Sequence, residues 1–193
     1  EVHFEGRHKS IARYYPEGTI ISTGLSKWAG AGGWRLGTFI FPRELRPLQD
    51  AMAIIASETY TATSAPIQHA AIAAFNGGED IDEYLKQSRR VLKVVGEYMH
   101  RRLTEMGAVV QKPEGAFYVF PSCVGVIDKA LPSGQKITND EEFCRFLLEH
   151  EGVAVVPGSA FGMNLHFRIS YATSTEALAE ACERIKKFCS ALR

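Results

Sequence analysis

The sequence lacks a long apolar run. No stretch approaches the roughly 18 consecutive apolar residues that a membrane-spanning helix requires. An excess of charge of one sign is also missing, because 22 lysine and arginine residues balance 22 aspartate and glutamate residues. The missing apolar run argues against a membrane protein. The balanced charge gives no sign of the basic surface that nucleic-acid binding uses.

Motifs for metals and disulfides are absent as well. The four cysteines form no C-x-x-C pair, and the six histidines are scattered without the spacing of metal ligands. We therefore expect no metal site. The cysteines are expected to be buried, reduced thiols, which suits a reducing compartment and predicts a cytoplasmic protein.

Length and patterning predict two lobes joined by a long helix. The 193 residues are 46% hydrophobic and 23% charged, which is ordinary for a globular chain. Apolar residues recur at helical spacing over 80–106, where Asp80 is a suitable cap and Gly107 a suitable end. At roughly 1.5 Å per residue this helix is about 40 Å long. We expect residues 1–79 and 107–193 to form separate domains on either side of it.

Short strands are expected in both lobes. In the first lobe, a β-branched run over 19–23 predicts a buried strand, followed by a second strand over 38–41 and helices over 43–56 and 67–75. In the second lobe the pattern is α+β, with strands over 108–110, 116–120, 153–156 and 166–171 and helices over 139–150 and 174–192. Alternation in the last strand places Phe167, Ile169 and Tyr171 on one face and Arg168 on the other.

The segment 22–37 carries most of the chemical information. Lys27 stands at the end of the first predicted strand, and the glycines of the following loop allow a ligand to approach the backbone closely. A partly desolvated lysine has a lowered pKa and becomes a usable amine nucleophile. Arg35, eight residues later, can grip a phosphate with two hydrogen bonds. The pattern therefore predicts a site that combines a reactive amine with a phosphate-binding cation.

Three other motifs do not fit this segment. A phosphate-binding P-loop needs its lysine after the glycines, whereas Lys27 precedes them. A dinucleotide fingerprint that begins at Gly30 has Arg35 in place of its last glycine. A nucleophile elbow has glycine where this chain has Trp28. Trp28 and Trp34 are expected to be packing residues.

The residues Gly24-Leu25-Ser26-Lys27, followed by Gly33-Trp34-Arg35-Leu36-Gly37, resemble the cofactor-lysine motif of class I/II aminotransferases, which are fold type I pyridoxal-phosphate enzymes. The resemblance implies that Lys27 carries pyridoxal 5′-phosphate as a Schiff base and that Arg35 binds the cofactor phosphate. The family often has a serine where this chain has Gly24. The serine's contact with the phosphate is therefore missing, or it comes from another group such as Ser26.

The resemblance extends along nearly the whole chain. Residues 114–118 are similar to the start of the family's small domain. Residues 156–162 are similar to the loop before its substrate arginine, and residues 166–171 to the strand that bears this arginine. This implies that Arg168 binds the substrate carboxylate. It also implies an α/β fold, made of the C-terminal part of the large parallel-sheet domain and the α+β small domain. Family members are usually homodimers.

The function implied is transfer of an amino group from an amino acid to a 2-oxo acid. In the family, the aspartate that contacts the pyridine nitrogen lies just before a segment like Glu1-Val2-His3-Phe4. We therefore expect this chain to be a C-terminal portion that is inactive alone. A C–S lyase, an enzyme similar to aminocyclopropane-carboxylate synthase, and a regulator domain that keeps the cofactor fold remain alternatives.

Overall fold

The computed structural model describes residues 2–6 and 8–193. These residues form five α-helices, which are α1 (Arg46–Thr59), α2 (Ala65–Asn76), α3 (Glu79–Glu105), α4 (Asp140–Glu151) and α5 (Thr175–Ala191). The strands are β1 (Ile21–Gly24), β2 (Gly37–Ile40), β3 (Tyr118–Val119), β4 (Val156–Pro157) and β5 (Phe167–Ser170). The chain divides into two compact units, residues 1–88 and 89–193. The boundary falls inside α3, the long helix that the sequence predicts.

The first unit contains a two-stranded antiparallel sheet. β1 pairs with β2 in a register that sets Ile21 opposite Ile40 and Gly24 opposite Gly37. The prediction that β1 is a buried strand is wrong, because its residues are exposed or half-buried. A two-stranded sheet has no inner strand, and β1 pairs here only with β2.

The core of the first unit is small and lies beside this sheet. It is formed by four buried residues, Leu25, Trp28, Leu36 and Ala71. The ring of Trp28 meets Phe75 edge-on at 6.1 Å between centroids, which confirms its predicted packing role. The same prediction is wrong for Trp34, which is 48% exposed.

The second unit contains a three-stranded antiparallel sheet in the order β3-β5-β4. The central strand, β5, alternates as predicted: Phe167, Ile169 and Tyr171 are buried, whereas Arg168 lies on the other face. The predicted strands over 116–120 and 166–171 are shorter than expected, at 118–119 and 167–170, and the other two predictions fit less well. β4 covers only the end of the predicted strand over 153–156, and residues 108–110 form no strand.

One core cluster fills the second unit, and α3 contributes Met99 and Leu103 to it. A glycine lets the helix approach the sheet: a Cβ at Gly96 would lie 2.8 Å from the hydroxyl oxygen of Tyr171. The four cysteines are free thiols, and all but the half-buried Cys189 are buried, which bears out most of that prediction. Burial raises the pKa of Cys144 to about 12, so this thiol stays protonated at neutral pH.

Helix α4 begins and ends within one residue of the predicted span 139–150. The side chain of Asn139 accepts a hydrogen bond from the backbone N–H of Glu142 at 2.8 Å. The Glu142 carboxylate reaches back to the backbone N–H of Thr138, also at 2.8 Å. At the other end, Gly152 adopts a left-handed conformation with φ 67° and closes the helix.

A buried carboxylate in the first turn of α4 holds a distant loop. Asp140 is 2% exposed, and its two oxygens accept hydrogen bonds from the backbone N–H groups of Ser159 at 2.8 Å and Leu165 at 3.1 Å. Burial alone raises the pKa of Asp140, but the hydrogen bonds from Ser159 and Leu165 outweigh it, so the net pKa is lowered. The ionised form therefore fixes the segment 159–165.

Replacing Asp140 with asparagine is expected to destabilise the protein. The amide keeps one acceptor oxygen but turns an NH₂ group toward a backbone N–H, so one buried donor loses its partner. We expect a loss of about 1–3 kcal/mol in the free energy of unfolding at pH 7, measured by urea denaturation. Because the folded pKa is lowered, wild-type Asp140 contributes stability above its unfolded pKa of about 3.9, and this contribution is lost as pH falls through the folded pKa.

The difference between wild type and Asp140→Asn should therefore shrink in acid. The control is Glu141→Gln, which removes an exposed carboxylate from the same helical turn. Equal stability of wild type and Asp140→Asn at pH 7 would contradict the assigned role of Asp140.

The described residues hold neither a membrane-spanning helix nor a metal-binding cluster. None of the helices described here is both long and apolar enough to cross a membrane. No group of three or more histidine, cysteine, aspartate or glutamate side chains is arranged to hold a metal ion in residues 2–6 and 8–193.

Candidate functional site

Four of the five predicted site residues line one cavity in the first unit. Its volume is about 490 Å³, and its walls include Gly24, Ser26, Lys27 and Arg35. The other lining residues are Val2, Thr23, Trp28, Leu36 and Gly37. The structure therefore places Ser26, Lys27 and Arg35, which the sequence motif holds within ten residues, along the wall of one cavity.

The turn after β1 places Lys27 at this cavity. The backbone N–H of Gly30 donates to the carbonyl of Lys27 at 3.3 Å, and that of Ala31 donates to the carbonyl of Leu25 at 3.1 Å. Leu25 and Trp28, on either side of the lysine, are buried and anchor the turn in the core. Lys27 itself is exposed, so the expectation of a desolvated lysine does not hold in this chain. The physical reason is the open, two-stranded sheet that precedes it.

Gly24 has a structural reason to be glycine. A Cβ at this position would lie 2.7 Å from the carbonyl oxygen of Leu36 and 3.1 Å from the Cα of Gly37. Both contacts are with backbone, which cannot move without disturbing the β1–β2 ladder. The serine that the family often has here therefore does not fit this backbone, and Ser26 is the hydroxyl residue that lines the cavity close to Lys27.

Arg35 is held in an uncommon backbone conformation. Its φ of 55° and ψ of 40° are left-handed, which non-glycine residues seldom adopt. Its Nη1 donates to the carbonyl oxygen of Gly32 at 2.9 Å, which fixes the guanidinium beside the loop. A left-handed arginine on a cavity wall is an arrangement that often marks a functional position.

This cavity has the chemistry of an anion site with a nucleophile. Arg35 lines the cavity, and its guanidinium can donate to two phosphate oxygens at once. Ser26 adds a hydroxyl. A ligand with a phosphate and an electrophilic carbonyl group suits the side chains of Ser26, Lys27 and Arg35, because the phosphate pairs with Arg35 and the carbonyl can react with the amine of Lys27.

Arg168, the fifth predicted residue, belongs to the second unit. It lies on β5, and its guanidinium carbon is 4.5 Å from the ring centroid of Tyr118 and 4.4 Å from that of Phe161. Its Nε is buried and has no hydrogen-bond partner in the part of the chain that the structure describes. No carboxylate within that part pairs with the guanidinium, which leaves it ready to bind an anion.

Two residues that contact Arg168, and Asp140, which holds the loop of one of them, were not predicted as site residues. Tyr118 and Phe161 belong to segments that carry the family resemblance, but no role followed from the motifs alone. Asp140 gave no signal, because its partner amides lie 19 and 25 residues away in sequence. A contact between residues so distant in sequence cannot be found from local patterns.

Comparison with known proteins gives the same family over nearly the whole chain. The profile of the family described as aminotransferase class I and II matches residues 3–185. A probable aspartate/prephenate aminotransferase from Rhizobium leguminosarum bv. phaseoli is 43% identical over 176 residues, which are 91% of this chain and 42% of that protein. An aspartate aminotransferase from Rhizobium meliloti (strain 1021) is 43% identical over 175 residues, 90% of this chain and 41% of that protein.

Solved structures agree on the fold. The crystal structure of the aspartate aminotransferase from Rhizobium meliloti has a TM-score of 0.88 and 39% identity, and the match covers 100% of this chain and 48% of that one. The Thermus thermophilus aspartate aminotransferase with maleate has a TM-score of 0.83 and 31% identity, over 96% of this chain and 45% of that one.

The chain thus spans a little under half the length of the relatives it matches. The structural neighbours have the fold type I architecture, so the predicted fold class is confirmed. Since the family profile and the relatives agree over almost all of its residues, this chain belongs to the class I and II aminotransferases.

Proposed function

We propose that the intact protein transfers the amino group of aspartate to a 2-oxo acid. The observation that carries this proposal is the single cavity lined by both Lys27 and Arg35. Aminotransferases of this family use pyridoxal phosphate. The relatives named above are aspartate or aspartate/prephenate aminotransferases, which supports aspartate as amino donor and makes prephenate a candidate acceptor.

The residues of the cavity fit this cofactor. Arg35 and Ser26 would bind its phosphate, Lys27 would hold it covalently, and Gly24 keeps the strand backbone close to the site. When bound, pyridoxal phosphate withdraws electrons from the Cα of the amino acid and so weakens its Cα–H bond.

Lys27 and Arg168 have complementary roles in this proposal. With the cofactor bound, the Nζ of Lys27 would take the proton from the substrate Cα and would later return it. Arg168 binds the α-carboxylate, and its guanidinium has no competing acceptor among the described residues. A neutral amine is needed for proton removal, so we propose that Lys27 is more fully covered in the assembled enzyme.

We also propose the domain roles and the assembly. The first unit, which includes the start of α3, would be the C-terminal part of the large cofactor domain, and the second unit would be the small domain. A homodimer is supported by apolar side chains on α1, a helix with no buried residue: Ile54 is 66% exposed and Ile55 is 64% exposed. The free, buried thiols support a cytoplasmic location.

The test is a panel of amino donors with 2-oxoglutarate as acceptor. The intact protein, loaded with pyridoxal phosphate, should use aspartate with a kcat/KM at least about tenfold above that for alanine, phenylalanine or kynurenine, a difference of about 1.4 kcal/mol in transition-state binding. The 193-residue chain alone is expected to show little turnover, because it spans less than half of its relatives' length.

The same panel separates the alternatives. With an amino acid that carries a thioether sulfur on Cβ added to the panel, release of a thiol, ammonia and a 2-oxo acid without any acceptor would indicate a C–S lyase. Binding of the cofactor without turnover of any donor would favour a regulator domain. Equal use of aspartate and alanine would refute aspartate as the preferred donor.

A further inference from the structure

The guanidinium of Arg168 is packed against two aromatic rings that come from different parts of the second unit. Tyr118 belongs to β3, which pairs with β5 so that Tyr118 lies opposite Ser170. Phe161 ends the short helical turn Gly158–Phe161. The distances of 4.5 Å and 4.4 Å from the guanidinium carbon to the ring centroids are within the range of cation–π contacts. We call Tyr118 and Phe161 the aromatic pair.

Core packing does not explain the position of Phe161. Its side chain is 51% exposed, although a phenylalanine usually gains most of its stabilisation from burial. Its ring packs edge-on against the ring of Phe120, at 5.8 Å between centroids, and against the guanidinium of Arg168. A half-exposed ring held against a cation is better explained by an effect on that cation.

The loop that carries Phe161 is fixed rather than loose. Asp140 accepts hydrogen bonds from the backbone N–H groups of Ser159 and Leu165, on both sides of Phe161. The N–H of Gly158 donates to the carbonyl of His166 at 2.7 Å, and that of Met163 donates to the carbonyl of Gly158 at 3.0 Å. The ring is therefore held in place from the core of the unit, and it can limit the motion of the arginine.

We infer that Tyr118 and Phe161 are positioning residues that hold the Arg168 guanidinium ready for the substrate carboxylate. An arginine side chain has several rotatable bonds, and ordering it during binding has an entropic cost. Stacking on the aromatic pair orders the Arg168 side chain before the substrate binds. Aromatic rings are also poor competitors for its N–H groups, so the hydrogen-bonding edge stays available for a carboxylate. This inference rests on the proposed function, because it takes Arg168 as the carboxylate site.

The decisive experiment replaces Phe161 with phenylalanines that carry one, two or three ring fluorines. Fluorine withdraws electrons from the ring face and weakens the cation–π contact, while the size of the side chain hardly changes. The affinity for maleate, a dicarboxylate without an amino group, is measured by calorimetry on the intact, cofactor-loaded protein. We expect the Kd to rise stepwise by about threefold to tenfold in total, and the KM for aspartate to rise with it while kcat changes less.

Conventional variants give an independent check. Phe161→Leu should raise the maleate Kd by about threefold to thirtyfold, and Phe161→Tyr should keep the wild-type value because the ring remains. The matched control is Phe39→Leu: Phe39 is also exposed, at 56%, but its ring packs on Phe41 instead of an arginine. That variant should leave the maleate Kd unchanged.

The outcomes separate this inference from the proposed function. A Kd that does not change across the fluorine series, in a protein that transaminates aspartate, overturns the inference and leaves the function intact. A graded Kd in a protein without turnover supports the inference and refutes the function. Absence of maleate binding in the wild type overturns the inference, because Arg168 then binds no carboxylate.

Discussion

Replacing Lys27 with alanine is expected to abolish transamination. The substitution removes the side chain that we propose would both hold the cofactor covalently and move the Cα proton. General acid–base catalysis alone contributes about 10²–10⁴-fold, so kcat should fall by about 10⁴-fold or more when the covalent role is lost as well. The measurement is single-turnover kinetics with aspartate, because residual activity at this level is slow.

Lys27→Ala should lose activity because a reactive group is missing and not because the protein is less stable. Lys27 is exposed, and the neighbours that anchor its turn, Leu25 and Trp28, are unchanged by the substitution. Lys27→Ala should therefore unfold at the same urea concentration as the wild type. Lys9→Ala, which removes another exposed lysine of the first unit, is the control and should keep full activity.

Borohydride reduction identifies the attachment point directly. In the wild type, it should fix the cofactor to the peptide that contains Lys27 as a stable secondary amine, detected as a mass increase. Lys27→Ala should show no such adduct and should lose the near-visible absorbance of the covalently bound cofactor. An adduct on another lysine would show that the motif has been assigned to the wrong residue.

The parts of the fold that local chemistry determines were predictable from the sequence. Asn139 and Gly152 bound α4, and Ser174 caps α5 by accepting a hydrogen bond from the N–H of Ala177 at 3.2 Å. The period of two in 166–171 correctly assigned the buried face of β5. In each case the signal and the interaction lie within a few residues of each other.

The parts that depend on distant neighbours were not predictable. Residues 108–110 have the composition of a strand, yet they form no strand, and the carbonyl of Val109 accepts a hydrogen bond from the N–H of Ser122 at 2.8 Å. The β-branched run that includes β1 suggested burial, but burial depends on which elements cover the strand. The same limit applies to the site. The spacing of Lys27 and Arg35 can be recognised in the sequence. The aromatic pair around Arg168 cannot, because its two residues come from segments more than 40 residues apart.

Replacing Arg168 with alanine is expected to weaken substrate use without affecting the cofactor. Truncating one partner of a hydrogen-bonded charge pair costs about 2–5 kcal/mol, so kcat/KM for aspartate should fall by roughly 30-fold to several thousandfold. The absorbance of the bound cofactor should stay at its wild-type value, because the side chains assigned to the cofactor line the cavity of the first unit. Steady-state kinetics and an absorbance scan of the same preparation measure both effects.

A lysine variant and a control variant show whether the planar shape of Arg168 or only its positive charge supports kcat/KM for aspartate. Arg168→Lys keeps the charge but loses the planar group that stacks on the aromatic pair and donates two parallel hydrogen bonds, so it should recover only a small part of the lost kcat/KM. Arg145→Ala is the control, because Arg145 also stacks on a ring, that of Phe146 at 4.2 Å, but is not assigned to the site. It should leave kcat/KM unchanged.

A substrate without a carboxylate distinguishes a binding role of Arg168 from a purely structural role. If Arg168 binds the α-carboxylate, its loss should not slow the reaction of the cofactor-loaded enzyme with a simple amine, which has no carboxylate to bind. The ratio of rates for aspartate and for the amine should therefore fall by the same factor as kcat/KM for aspartate. A parallel fall in both rates would instead mean that Arg168 supports the architecture of the second unit, and the arginine that recognises the substrate would have to be sought elsewhere.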